Sequence, residues 1–566
     1  QGRGLEVDYV SWFFRPYTPD ITRREDHWPP FVSLCAAPFV WAIGDEPWVY
    51  RLAPILIGTI LLPLAAAGLA MAYSRRGYAA LVAGLLMLAN ISLFNGSVTM
   101  LADVPLAMLV AAHLAALIGS ARRPWLHVLA GLFAAMAYYA KGSQLVLLAL
   151  YPVTATIVGG FGPWRRRWLW CGLAAGGLAI APMLIGNYRA YGHPLHSTQN
   201  YVSGYMGLVG WEEGTYPAYW GRDVPKTSDR WNKSGERYWR LVMHNREALT
   251  RYALLGPGTR DKDWRALGTA GIRLHLWLSA RTPKKSQATE GECAPLEEWR
   301  DPRTAVCGIT ATCFAALVLV GGLLALPVRG GLRLWHLWRK NTKARLSFPA
   351  EPVWPPLWRP TLALLLVCAV EWCFVVYLWE AQARFAFVFL PVTAAVAATA
   401  ISRLLELPLR FVCPRWLQRW QWILGLALAT VAVGLFFSRR ERLTQYHRAN
   451  TDLARYPYVD QPFYPTLGNW IRDHLPTAVV MTRNPWELLY HCSPTNKAVN
   501  VPLADAPTVF SIARYYRATH FVADGNRPSL VPYVRGEMPG LKPVPGAPGP
   551  LFELEYDRLP QAEGKF

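Results

Sequence analysis

Acidic residues are scarce in this chain: 37 Asp and Glu stand against 58 Lys and Arg in 566 residues, a formal charge of +21. That sign suits nucleic acid, but no compact Lys/Arg-rich domain and no RNA-binding signature accompanies it, so nucleic acid is excluded as a partner. Metal-ligand spacing is missing from the nine Cys. Cys171, Cys313, Cys368 and Cys373 sit inside apolar runs as small buried hydrophobes, which leaves Cys293 and Cys307 as the one plausible pair. There is no internal repeat and no long low-complexity tract. No charged stretch followed by an apolar one precedes the polar opening segment, which begins at Gln1.

What is abundant is apolar surface. Hydrophobic residues make up 53% of the chain and Trp occurs 26 times, more than soluble cores account for. The apolar runs are dense over 48–187 and again over 304–437, whereas 188–303 and 438–566 are mostly polar. Runs of bilayer-spanning length number about ten, at 48–73, 78–93, 103–120, 125–141, 143–160, 168–187, 304–328, 360–379, 385–402 and 421–437. Phe31 to Gly44 is apolar but shorter and carries Pro38, the pattern of a helix lying in the membrane interface. The expected organisation is a first outer segment with that helix (1–47), a membrane block (48–187), a large loop (188–303), a second membrane block (304–437) and a soluble domain (438–566).

Short loops rich in Arg and Lys resist translocation and mark the cytoplasmic side. Five qualify: Arg75-Arg76, Arg122-Arg123, Arg165-Arg166-Arg167, the 329–359 loop and the 403–420 loop. They alternate with poorly charged loops, which places the opening segment, the Lys141-Gly142 turn, 188–303, the Glu380–Arg384 turn and the C-terminal region on the opposite side. Residue 1 then starts outside, and a span preceding it is expected. In the C-terminal region, Thr466–Leu475 and Val509–Arg517 behind Thr508 as N-cap have helical patterning. Ala478–Thr482, Ala498–Val501, His520–Ala523 and Leu551–Glu555 read as strands and Met538–Pro550 as a loop, together a small α/β domain.

Ionisable groups at membrane depth are costly unless they are used. Asp103, Lys141, Arg189 and Arg384 fall at the non-cytoplasmic ends of spans, on the same side as Glu6 and Asp8. Carboxylates beside cations at one water interface suit displacement of a phosphate-linked group: a carboxylate takes a proton while Lys and Arg hold charge growing on phosphate. Each residue has a plainer role as well. Asp103 could cap the helix that follows, with Pro105 at an early helical position; Lys141 could snorkel to headgroups; Arg189 and Arg384 could anchor at the interface. Asp26-His27, His193 and His196 have no diagnostic metal spacing, so no cofactor is assigned and a divalent metal stays open.

Five stretches in order carry a family resemblance: Glu6-Val7-Asp8-Tyr9 with His27-Trp28-Pro29-Pro30-Phe31; Leu101-Ala102-Asp103-Val104-Pro105; Tyr139-Ala140-Lys141-Gly142; Gly186-Asn187-Tyr188-Arg189 with Tyr191-Gly192-His193-Pro194; and Gln382-Ala383-Arg384-Phe385 leading into Leu390-Pro391. The chain resembles bacterial relatives of the dolichyl-phosphate-mannose protein mannosyltransferases and the lipid A aminoarabinose transferases. The resemblance implies an α-helical polytopic membrane protein of GT-C-like fold with a C-terminal extracytoplasmic α/β domain, in a bacterial inner or plasma membrane. It implies a polyprenyl-phosphate-sugar donor and an acceptor hydroxyl on a protein, lipid or glycan. By it Asp8, or else Glu6, is the catalytic carboxylate, Asp103 the second acidic position, Lys141 the lipid-phosphate ligand, and Arg189 and Arg384 supports for phosphate. A transporter or flippase of lipid-linked sugars is the rival reading, although its charges would follow a path through the membrane rather than gather at one face.

Overall fold

The computed structural model describes residues 6–10, 20–25, 29–44, 46–88, 90, 93, 96–97, 102–165, 167–196, 242–243, 245–246, 248–250, 314–316, 318–320, 357–378, 383–412, 463–502, 504–524 and 527–561. The chain divides into two compact units. A helical unit comprises Pro29–Pro182 and Val242–Ala454, and a sheet unit comprises Gln1–Trp28, Met183–Leu241 and Arg455–Phe566.

The helical unit contains α1 (Phe31–Ile43), α2 (Trp48–Ser74), α3 (Gly77–Leu88), α4 (Asp103–Gly119), α5 (Leu126–Ala140), α6 (Leu145–Gly159), α7 (Arg167–Tyr191), α8 (Trp358–Leu378) and α9 (Leu390–Val412). The last turns of α7, from Met183, belong to the sheet unit. Among the described residues, five stretches are long and apolar enough to cross a membrane: Trp48–Ser74, Gly142–Gly159, Arg167–Tyr191, Trp358–Tyr377 and Phe385–Arg403. Apolar side chains surround each of them, and a helix satisfies its own backbone, as a hydrocarbon environment requires. The expected span at 304–328 is described only at 314–316 and 318–320, and that at 421–437 lies outside the described residues.

Phe385–Arg403 is 89% buried, against 22–39% for the other four, so it is the centre around which α2, α3 and α4 pack. Small residues set the closest approaches. A methyl group at Gly131 of α5 would run into the Gly172 carbonyl of α7, so these helices touch backbone to backbone. The 13-residue α1 is about 20 Å long, too short to span, and it exposes Leu34, Trp41 and Ile43.

The sheet unit is built on a six-stranded sheet of order β2-β5-β4-β6-β8-β7. Its strands are β2 (Tyr9–Val10), β4 (Val479–Thr482), β5 (Lys497–Asn500), β6 (His520–Val522), β7 (Leu541–Pro543) and β8 (Leu551–Leu554). β2, β5, β4 and β6 are parallel; β8 runs antiparallel to β6, and β7 antiparallel to β8. Alternation along the strands sorts the core by face. Met481, Val499 and Phe521 join Val509, Phe510 and Ile512 of the helix Ala506–Tyr515 on one side. Val480 and Val522 join Tyr464, Leu467 and Ile471 of the helix Tyr464–His474, with Leu488 of Pro485–Tyr490, on the other.

Two expectations are corrected here. The helix expected behind Thr508 begins earlier: Asp505 is the N-cap, its side chain accepting from the Thr508 amide at 3.2 Å. Ala506 and Pro507 fill the first turn, where a missing N–H costs nothing. The stretch expected as a loop over Met538–Pro550 contains β7, because an outermost strand tolerates Pro543, which has no N–H to give.

Candidate active site

In the helical unit, connectivity brings two of the expected residues together. α4 and α5 are apolar helices of 17 and 15 residues joined by a short basic turn, so the start of one meets the end of the other. Asp103 opens α4 and Lys141 follows α5. Asp103 is not the N-cap, which is Ala102; it lies in the first turn, 8% exposed, where a carboxylate faces the positive end of the helix dipole. Lys141 breaks the helix with extended backbone (φ −155°, ψ 120°) before the 3-10 turn Gly142–Gln144. Its ammonium does not snorkel outward: Nζ is 3.8 Å from Asp103 Oδ1 and 4.0 Å from the centroid of the Phe385 ring. Phe385 is held in the 3-10 segment Ala383–Phe389 ahead of α9, which puts the backbone of Arg384 one residue from this contact. The Arg384 side chain is outside the described residues.

Sequence reasoning missed Glu371. It sits inside α8, 5% exposed, and accepts a 2.8 Å hydrogen bond on Oε2 from Gln144 Nε2, three residues after Lys141. A second buried acid is thus tied to the turn that follows Lys141. The signal was available: an acid in the middle of an apolar run is itself a functional flag.

In the sheet unit the opening segment is ordered as strand. β1 (Glu6–Val7) pairs antiparallel with β3 (Arg23–Arg24), placing Glu6 opposite Arg24 and Val7 opposite Arg23. Asp8 is the bend at which the chain leaves that pair and joins the large sheet as β2. Thr22 Oγ1 donates to Asp8 Oδ1 at 2.7 Å, and the Ala498 amide donates to the Asp8 carbonyl at 3.1 Å. The half-buried Asp8 is thus held through side chain and main chain, whereas Glu6 is exposed. Tyr9 donates to Glu25 at 2.9 Å and meets the Trp486 ring edge-on, with centroids 6.3 Å apart.

Arg189 lies in the last turn of α7 and is exposed, a favourable place for a cation at a helix C-terminus. Among the described residues it makes no ion pair. His196 stacks on Tyr191 with centroids 4.3 Å apart, and His193 Nδ1 accepts from the Leu195 amide at 3.2 Å. Both are explained by local structure, and no group of three His, Cys, Asp or Glu side chains suited to a metal occurs among the described residues.

No family model matches the chain, and no curated protein matches its sequence. Among solved structures it is similar to the Archaeoglobus fulgidus oligosaccharyltransferase in the apo form, at 14% identity and a TM-score of 0.44, covering 92% of this chain and 63% of that one. It is similar to the Archaeoglobus fulgidus oligosaccharyltransferase AglB in complex with an inhibitory peptide and a dolichol-phosphate, at 14% identity and a TM-score of 0.45, covering 91% and 62%. It is also similar to ArnT from Cupriavidus metallidurans bound to undecaprenyl phosphate, at 14% identity and a TM-score of 0.45, covering 96% and 90%. The chain thus spans less than two thirds of the length of the oligosaccharyltransferases.

Proposed function

We propose that the chain is a membrane glycosyltransferase of GT-C type, transferring a sugar from a polyprenyl-phosphate donor to an acceptor hydroxyl on the extracytoplasmic face. The observation that carries this reading is Lys141: an ammonium turned inward at a deliberate break between two apolar helices, beside buried Asp103 and Phe385. Such a group is expensive in an apolar setting and suits an anion attached to a lipid tail.

The acceptor oxygen attacks the anomeric carbon, the bond from that carbon to the phosphate oxygen breaks, and polyprenyl phosphate leaves with the bonding pair. A single in-line step inverts the anomeric configuration. Asp8 takes the acceptor's proton, with Glu6 as the alternative base, and Asp103 is the second acid. Lys141, assisted by Arg384 or Arg189, holds the leaving phosphate. The apolar helices accommodate the isoprenoid chain and the bilayer.

The test is transfer of radiolabelled sugar from a polyprenyl-phosphate donor by the full chain in proteoliposomes. Label should appear in an acceptor with release of polyprenyl phosphate; movement of intact labelled donor across the bilayer without transfer would establish the transporter reading instead. Orientation is checked separately. Cys placed at the exposed Arg122 should be shielded from an impermeant reagent added outside, while Cys at the exposed Lys542 should be labelled. Labelling of both from one side would overturn the orientation.

A further inference from the structure

Arg24 is a cation that neither the family pattern nor the membrane topology singles out. It stands in β3 directly across from Glu6, two residues beyond the Thr22 that holds Asp8. Its guanidinium is packed against the end of α7 within the sheet unit. Nη2 donates to Met183 Sδ at 3.4 Å, and a methyl group at Gly186 would collide with Nη1, Cζ and Nη2. The Tyr191 hydroxyl donates to the Arg24 carbonyl, so strand and helix are tied at two levels.

The partners do not account for the charge. A thioether is a weak acceptor, the Nε atom is buried without a hydrogen-bond partner, and among the described residues no carboxylate forms an ion pair with this guanidinium. Glu6 faces it across the strand pair, yet is exposed and does not engage it. A guanidinium confined in this way, with donors unused, is what a planar fork awaiting an anion presents. Gly186 gains a physical reason as well: it is the residue that makes room for the fork.

We propose that Arg24 binds a phosphate group through its guanidinium fork. That the phosphate belongs to a polyprenyl carrier rests on the transferase reading above; that the ligand is a phosphate rests on the guanidinium itself. Equilibrium binding of undecaprenyl phosphate, and separately of inorganic phosphate, to the purified full chain in nanodiscs tests both. Arg24→Gln should weaken undecaprenyl phosphate by about tenfold to a hundredfold, the range expected for a charge-assisted bond. Arg24→Lys should recover only part of that, since a point charge lacks the fork. Gly186→Ala keeps the charge but displaces the guanidinium, so it should weaken binding too, which guards against an Arg24 variant that merely folds poorly.

A drop in thermal midpoint in Arg24→Gln with unchanged affinity means that Arg24 is structural, and the proposal fails. Loss of affinity in Lys141→Ala but not in Arg24→Gln or Gly186→Ala also overturns it, and leaves the transferase reading standing. Arg24-dependent binding of inorganic phosphate without binding of the lipid supports the phosphate site and removes the polyprenyl reading. Binding of neither probe by the unmodified chain removes both.

Discussion

Asp8→Asn should abolish sugar transfer while leaving donor binding nearly intact. The side-chain oxygen that accepts from Thr22 at 2.7 Å survives in the amide, and the Ala498 contact is made by the main chain, so the bend between β1 and β2 should hold. What the amide cannot do is accept the proton of the attacking hydroxyl. The loss therefore falls on the chemical step, by at least about a hundredfold if Asp8 is a general base. Glu6→Gln should do less, because Glu6 is exposed, whereas Asp8 is fixed at a junction of two strand pairings. Asp103→Asn is expected to be severe as well, through lost positioning, so the contrast between Asp8 and Glu6 decides the assignment. Rates of transfer should be measured beside donor affinity in each variant. Near-normal turnover in Asp8→Asn with a dead Glu6→Gln moves the base to Glu6, and activity in both defeats the mechanism.

That junction was not legible in the sequence, for a physical reason. A strand of two residues has no period to detect, and Tyr9 finds its partner at Ala498, far along the chain. The C-terminal strands were legible because alternation over Val479–Thr482 and its neighbours must fill two different cores, and a slip of one residue would exchange them. The outermost β7 was hidden by Pro543, because the exclusion of proline from strands holds only where both edges are paired. In the membrane part, hydropathy located the helices that the structure describes, and the near-equal lengths of α4 and α5 made the meeting of Asp103 and Lys141 deducible. Glu371 was visible as a charge in an apolar run. Its tie to Gln144, by contrast, depends on how α8 packs against α6, which no local pattern encodes.

Lys141→Ala should weaken the lipid donor more than it weakens the fold, and the structure shows how to separate the two effects. An ammonium on a phosphate contributes about 1.5 to 3 kcal/mol, so donor affinity should fall by roughly tenfold to a hundredfold. Stability should also fall, because Asp103, only 11% exposed in its side chain, loses its ion-pair partner at 3.8 Å, and removing one member of a buried pair is costly. Combining Lys141→Ala with Asp103→Asn removes both charges. That double variant should regain much of the lost thermal midpoint and none of the donor affinity, whereas a purely structural lysine would let both return together. Lys141→Arg should rescue affinity only in part. The ammonium is placed 4.0 Å from the Phe385 ring centroid at the mouth of a tight turn, and a longer planar fork would have to displace that ring or lift away from Asp103. Undecaprenyl phosphate affinity and the unfolding midpoint, measured on all three variants, make the distinction; unchanged affinity in Lys141→Ala removes this residue from the site.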